Sequence, residues 1–528
     1  MKKIILISLS AAALAVVFSC VKDNPVVGKD CGDGASWEFE IPAVPQNSTL
    51  PRFVLPSAPN FGSNVSVHDP SIFKDDDGTY YTFGSHFAVA RSSNLMSWTQ
   101  YATDNQTHRL YGGNSSAASP WRTILADAFT HVGNGSDGNP PGSTWAPDLI
   151  KLNGRYYMYY SLSTWGSNRS YIGRVEANSV TGPYSNSVEI IKTPAAGVSG
   201  RAPNAIDPAF FYDKEGKLWM SYGSFFEGIY ILEMETSGSR IGLVKSGQGA
   251  YGKRIHAGGE GPEGPYIFYN SDTDYYYLMV THGSLSTDYN MRVTRSRNPD
   301  GPYVDIRSRD VTNSNPTGAN SVGNKLAGNY RFEGTPRGYA ALGHNSVLIE
   351  NGKYLVIYHT RYQSGAAGVT GNHNQFVNQL FFNDEGWPVM APNRYAGESA
   401  GRVDPQDVIG EYDILVHTSV RNDIAFATSA LYSFYSDGSV KLGPYTGETT
   451  GIKEPAREIP RKAMAIDMET VGSWVRTGDY HFTVTIDGIA YNGVIVPQYN
   501  NDRGYAELSF TGVSPQGVSM WANKRPRP

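Results

Sequence analysis

Five times along its first three quarters, this chain repeats one short element: an ionisable residue near the start of an apolar segment, a polar turn, and an aromatic-rich strand. The copies begin at Val67-His68-Asp69-Pro70-Ser71-Ile72, Trp145-Ala146-Pro147-Asp148-Leu149, Ala205-Ile206-Asp207-Pro208-Ala209, Glu263-Gly264-Pro265-Tyr266-Ile267 and His344-Asn345-Ser346-Val347-Leu348. Turns follow at Gly78, Gly154, Gly216, near Thr273 and at Gly352. Each interval can hold a four-stranded antiparallel sheet and a loop, which is the size of a propeller blade with insertions. An all-β fold is therefore expected, with a five-bladed β-propeller over residues 61–398. A pair of β-sandwiches would not explain why ionisable residues return at one place in each unit. On this reading Asp69, Asp148, Asp207, Glu263 and His344 are equivalent, and the blades bring them together on the central axis.

Composition supports strands and turns: aromatics make up 12% of the chain, with 35 tyrosines and 57 glycines. A net charge of -5 without a basic run excludes a nucleic-acid partner. At 528 residues the chain needs more than one domain. Past Gly401 the hairpin signals Asp437-Gly438 and Asp487-Gly488 predict a smaller C-terminal β domain, barrel-like, over residues 399–528. Its expected role is to pack against the propeller, with glycan binding as the alternative.

The N-terminus predicts export. Lys2-Lys3 precede an apolar run from Ile4 to Phe18 that is short for a membrane span and ends at Cys20. Residues 1–20 resemble a bacterial lipoprotein signal with Cys20 as the lipidated residue; a plain secretory signal is the alternative. A disulfide from Cys20 to Cys31, the other cysteine, would brace little of the fold. Residues 21–60 read as a linker or tether, with a ring-closing strand around Trp37 to Ile41 as the other possibility.

Carboxylates are costly to bury without partners, so several converging on one axis point to chemistry or a bound cation. Hydrolysis of a glycosidic bond needs one carboxylic acid to protonate the leaving oxygen and one carboxylate to activate water or attack the sugar. A third can hold the acid's pKa high. Asp69, Asp207 and Glu263 supply that set. Asp148 reads as structural, and its neighbour Trp145 as a platform for a sugar ring. Glu260 competes with Glu263 because Glu-Gly-Pro occurs twice in succession, but only Glu263 leads directly into an aromatic strand.

Taken in order, Val-His-Asp-Pro-Ser-Ile, Ser-Thr-Trp-Ala-Pro-Asp, Asn-Ala-Ile-Asp-Pro, Glu-Gly-Pro-Tyr-Ile and Gly-His-Asn-Ser-Val resemble family 43 glycoside hydrolases. Within that family they are most similar to the endo-acting α-1,5-L-arabinanases. Arg91 to Trp98, Tyr222 to Phe225, Tyr289 to Val293, Gly301-Pro302-Tyr303 and Gly386 to Val389 carry the same resemblance. It implies an inverting mechanism on arabinan, with Asp69 as general base, Glu263 as general acid and Asp207 as the residue that tunes and orients that acid. It also implies a calcium or sodium ion on the axis held by His344, and places Asn204, Ser224 and Phe225 with Trp145 in substrate binding. An exo-acting arabinofuranosidase or xylosidase, and a glycan-binding propeller without catalysis, are the alternatives. The stretches Arg307 to Tyr339 and Ser364 to Asn374, the latter including His373, have no counterpart in the resemblance and are expected to be rim loops.

Overall fold

The hairpins form where two consecutive residues can adopt positive φ. Asn153-Gly154 (φ 49° and 77°), Asn351-Gly352 (51° and 74°) and Asp487-Gly488 (50° and 75°) each close a two-residue turn between paired strands. Such turns match the right-handed twist of the flanking strands, and glycine at the second position takes its φ without steric cost.

In the computed structural model, residues 50–133, 143–198, 200–313, 322–366, 368–445 and 469–526 are described. They belong to one unit, Ile41–Pro528. The expected signal, Cys20, Cys31, most of the tether and the Trp37 to Ile41 segment lie outside the described residues.

Four sheets of four strands and one of six follow in chain order. Blade one is Ser71–Lys74, Tyr80–Phe83, Val89–Ser92 and Trp98–Ala102; blade two runs from Ser143–Leu152 to Ser185–Thr193; blade three from Ala209–Tyr212 to Lys253–His256; blade four from Glu263–Asn270 to Asn324–Ala327. Blade five is built on Tyr339–Glu350, Lys353–Ser364, Gly368–Phe382 and Pro388–Met390, with the short strand Tyr330–Arg331 added at its inner edge. All strands of blade one come from consecutive sequence, so the ring closes by packing. Val65, Val67 and Ile72 share an apolar cluster with Leu355, Ile357 and Val377 of blade five, beside one bridge from Ser66 to Asn374.

Three features depart from the sequence reading. Residues 51–53 of the expected tether are fixed: Arg402 donates its N–H to Pro51 O at 2.8 Å, and the Phe53 N–H returns to Arg402 O at 3.1 Å. The segment between blades one and two holds short helices, the longest among the described residues being Ala126–Val132, whose Ala128 and Val132 pack into the core that blades one and two share. Its apolar spacing spans too few turns to stand out from sequence. Ser364 to Asn374 is the tip of a long hairpin, with Ser364 paired to Gly368, and Asn324–Ala327 in the other unplaced stretch is the outer strand of blade four.

The C-terminal domain is a closed eight-stranded barrel, from Gly410–Val416 to Ser519–Lys524, which pair with each other. Its interior is filled by Tyr412, Phe434, Trp474, Phe482 and Phe510 among others. Val494, Val496 and Val513 on the outside join Phe381, Trp387 and Val389 of blade five in one apolar cluster. Asn393 sits in the same interface, its Nδ2 3.1 Å from Ser509 Oγ and 3.0 Å from Asn523 Oδ1. The barrel is thus packed on the propeller, as the sequence suggested.

Candidate active site

Each blade turns toward the axis through one residue in the left-handed region: Asp69 (φ 54°), Ala146 (36°), Asp207 (58°), Gly264 (54°) and His344 (48°). In blades two, four and five this residue lies inside a break in strand register, at Trp145/Asp148, Glu263/Tyr266 and Gly343/Ser346. Bulges of this kind re-aim side chains next to functional sites, and left-handed non-glycine residues persist only where their surroundings fix them.

This register corrects the expected equivalence. The residues matching Asp69 are Ala146, Asp207, Gly264 and His344; four of these five positions precede a proline, and Asn345 follows His344. Glu263 stands one residue before the shared position and Asp148 two residues after it. Because the left-handed residue interrupts the alternation of side chains, both it and its predecessor can face the axis: His68 with Asp69, and Ile206 with Asp207, line the same cavity. The position two residues on points between blades. There Asp148 is buried, accepting from Ser71 Oγ and the Leu149 N–H on Oδ1 and from the Phe210 N–H on Oδ2 at 2.8 Å. It ties blade two to blades one and three.

One cavity of about 1140 Å³ is lined by Asp69, Asp207, Glu263 and His344 together with Trp145, Asn204, Ser224 and Phe225. Asp69 is buried at 7% exposure, with Ser85 Oγ donating to its Oδ2 and the Ala146 N–H fixing that hydroxyl at 3.0 Å. His344 Nδ1 lies 3.1 Å and His68 Nε2 3.2 Å from Asp69 Oδ1. The Asp69 N–H donates to His359 Nδ1 at 3.2 Å. Burial alone would raise the Asp69 carboxyl, but the His344, His68 and His359 rings outweigh it and hold the group well below the usual carboxylate range.

The other two acids move the opposite way. Burial, assisted by the charge of Asp207, pushes Glu263 up to about 8, against a hydrogen bond from Tyr289 Oη to Oε1. Ser224 Oγ lies 3.4 Å from Glu263 Oε2. Burial raises Asp207 to about 6, with His344 opposing and Asp69 adding to the rise. The Gly264 N–H reaches Asp207 Oδ2 at 3.1 Å. At neutral pH the cavity therefore holds two carboxylates, Asp69 and Asp207, and one protonated carboxylic acid, Glu263, which includes the pair that general base and general acid require.

Glu260 also borders the cavity, in the turn Gly258–Glu260, where its Oε2 accepts the Val322 N–H at 3.2 Å. Sequence reasoning missed several residues here. Trp165, at 65% exposure, stands edge-on to Trp145 with ring centroids 6.4 Å apart, and Phe226 adjoins Phe225. An aromatic set among Thr164, Gly166 and Ser167 was the available signal for Trp165. Tyr289 was recognised only as part of a motif, and Arg421 and Asn422, which come from the C-terminal domain, carried no signal.

His344 has the geometry of an imidazole that a carboxylate orients for a cation, one ring nitrogen facing Asp69 and the ring lining the cavity. Among the described residues, no cluster of three or more His, Cys, Asp or Glu side chains able to share an ion includes His344. The residues fit an ion held by one protein nitrogen and otherwise by water. Without an ion, burial works against the charged ring, but Asp69, Asp207 and Glu263 raise His344 to about 9. His68, His359 and His373 bring nitrogens within 4.8 Å of one another, but the His68 and His373 rings stack in parallel at 3.9 Å. An ion cannot lie in the plane of two rings that face each other, so this trio is a packed wall behind Asp69.

Comparison with known proteins follows the same division of the chain. The family model of Glycosyl hydrolases family 43 matches residues 63–388, and a C-terminal lipocalin-like domain matches residues 392–522. An extracellular endo-α-(1→5)-L-arabinanase 2 of Bacillus subtilis is 35% identical over 90% of this chain and 96% of its own length. An extracellular endo-α-(1→5)-L-arabinanase of Thermotoga petrophila is 36% identical over 86% of this chain and 93% of its own. The crystal structure of an endo-1,5-α-L-arabinanase from Thermotoga petrophila RKU-1 superposes with a TM-score of 0.75 at 34% identity, covering 89% of this chain and all of that one.

Proposed function

Because the chain belongs to glycosyl hydrolase family 43, we propose that it is an endo-acting arabinanase that hydrolyses internal α-1,5-L-arabinofuranosidic bonds, with inversion at the anomeric carbon. The observation that carries this reading is the near end-to-end match, propeller and barrel together, to two extracellular endo-arabinanases.

Asp69 is the general base. Three imidazoles keep it anionic and Ser85 fixes one of its oxygens, so the other oxygen accepts a proton from a water on the face of the sugar opposite the leaving group. Glu263 is the general acid, protonated at neutral pH and oriented by Tyr289 and Ser224, and it gives its proton to the departing glycosidic oxygen. Asp207 raises the Glu263 pKa by its charge and is held to the same strand by Gly264. Trp145, Trp165, Phe225 and Phe226 offer flat apolar faces to the furanose rings, and Asn204, buried with an Oδ1 that has no partner, is placed to accept from a sugar hydroxyl. His344 would hold a calcium or sodium ion, which supplies positive charge that favours the anionic form of Asp69.

The segment Lys2 to Cys20 supports export with lipidation at Cys20, placing the enzyme on the outside of the cytoplasmic membrane in a bacterial envelope. Fatty-acid labelling that Cys20→Ala abolishes would test the anchor. The activity is tested on linear arabinan, branched arabinan and aryl α-L-arabinofuranosides. Short oligosaccharides from linear arabinan are expected. Release of arabinose alone would overturn the endo assignment, and binding without products would overturn catalysis.

A further inference from the structure

The cavity is not made by the propeller alone. Between the barrel strand Gly410–Val416 and the two-residue strand Ala427–Thr428, which pairs in parallel with Tyr330–Arg331 of blade five, the chain leaves the barrel and runs along the top of blade four. Four side chains of the propeller grip its backbone. Arg292 Nη2 donates to Ser419 O at 2.8 Å and to Val420 O at 3.3 Å, Lys325 Nζ to Val420 O at 3.2 Å, Asn290 Nδ2 to Arg421 O at 2.8 Å and Asn329 Nδ2 to Ile424 O at 3.4 Å. Arg292, Asn290 and Lys325 are buried at 1%, 1% and 4% exposure. A buried guanidinium, a buried amine and two buried amides committed to the carbonyls of one loop fix its path.

This fixed loop presents Arg421 and Asn422 to the cavity, beside Leu285 and Asp288 of blade four. The Arg421 guanidinium makes no hydrogen bond or ion pair with the described residues, although its backbone is tied down. A partly buried guanidinium held at the wall of the cavity, with its donors uncommitted, is set up for a ligand. Its planar fork of N–H groups matches two adjacent oxygens. In an α-1,5-linked arabinofuranosyl chain, positions 1 and 5 are used by the linkage, so each inner residue offers its neighbouring 2- and 3-hydroxyls. Blades two and three supply the stacking faces of Trp165, Phe225 and Phe226, and the blade-four side supplies polar donors.

We propose that the C-terminal domain completes the substrate cleft: its Arg421, seated by the blade-four clamp, binds the vicinal hydroxyls of one arabinosyl residue, so that the substrate contacts both domains. This rests on the arabinan reading given above and assigns the barrel a direct role in recognition. Arg421 is a binding residue, and the bond-breaking step does not depend on it.

The test compares wild type with Arg421→Ala, Arg421→Lys and Asn422→Ala on linear arabinan, and measures arabinohexaose binding by calorimetry in a Glu263→Gln background. Arg421→Ala is expected to raise KM roughly 5- to 30-fold with kcat within about twofold, the effect of one lost charge-assisted hydrogen-bonding pair. Arabinohexaose affinity should fall by a similar factor, and the thermal midpoint should stay put because the side chain makes no hydrogen bond or ion pair with the described residues. Arg421→Lys should recover only part of the loss, since a point charge cannot span two hydroxyls. An unchanged KM and an unchanged affinity in Arg421→Ala, with wild type active on arabinan, would overturn the proposal. A wild type inactive on arabinan but binding another glycan through Arg421 would instead overturn the arabinan reading alone.

Discussion

The Gly264 N–H, one residue beyond Glu263, donates to Asp207 Oδ2 at 3.1 Å. Two acids from neighbouring blades are thereby held at a fixed offset, close enough for the charge of one to raise the pKa of the other, and the hydrogen bond keeps Asp207 itself from rising further. Asp69, in contact with His344, is held ionised while Glu263 stays protonated at neutral pH. The pH behaviour of the enzyme follows from these contacts.

Glu263→Gln removes the proton donor and should lower kcat on arabinan by roughly 10²–10⁴-fold, the usual contribution of a general acid. Glu260→Gln should keep most of the activity, because its carboxylate is committed to the Val322 N–H at the cavity edge. Steady-state kinetics on linear arabinan decide, and the reverse ranking would exchange the two assignments.

The alkaline limb of kcat/KM reports Glu263, which works protonated, so activity should fall as pH rises through about 8. Asp207→Asn deletes a charge that raises this group, so the limb should move to lower pH. Tyr289→Phe deletes a hydrogen bond that lowers it, so the limb should move to higher pH. Shifts of opposite sign in pH–rate profiles would be hard to obtain from a general loss of structure. Shifts in one direction would refute this assignment of the limb.

On the acidic side, the imidazoles around Asp69 hold the base well below its ordinary value, so no loss attributable to its protonation is expected down to about pH 4. Replacing His344 by Gln removes the largest of these influences and should draw the acidic limb upward. An acidic limb left in place would show that His344 does not keep the base ionised.

Asp148 should matter for stability and not for chemistry. Asp148→Ala strands the Ser71 hydroxyl and the Leu149 and Phe210 amides, at a cost of about 3–5 kcal/mol for three buried donors. Burial raises the folded carboxyl to about 6, above its unfolded value, so the folded state holds this proton more tightly and its stabilisation is lost as pH rises through 6. Asp148→Asn cannot titrate and should lack that part of the decline. Unfolding midpoints of the three proteins between pH 4 and 7 check both points.

Chelation with EDTA should lower kcat/KM on arabinan, with recovery on adding calcium, if the ion at His344 is calcium. An unchanged rate in the chelated enzyme would remove calcium from the site and leave sodium or water as the occupant.

Sequence alone determined what is local. A pair of residues able to take positive φ makes a tight hairpin wherever it falls, so Asn153-Gly154, Asn351-Gly352 and Asp487-Gly488 could be read directly, and with them the rhythm of five blades and a second β domain. The convergence of Asp69, Asp207, Glu263 and His344 on one cavity was also legible, because they are the costly residues in otherwise apolar segments. Register was not legible. A shift of one residue along a strand reverses the face a side chain takes, and only the bulged, left-handed turn into each inner strand decides that Glu263 faces the cavity one place early while Asp148, two places late, is buried between blades. The wall contributed by Arg421 was beyond sequence for a related reason: it depends on buried Arg292, Asn290 and Lys325 meeting the carbonyls of a loop from another domain, and no local pattern records a contact made only when the two domains pack.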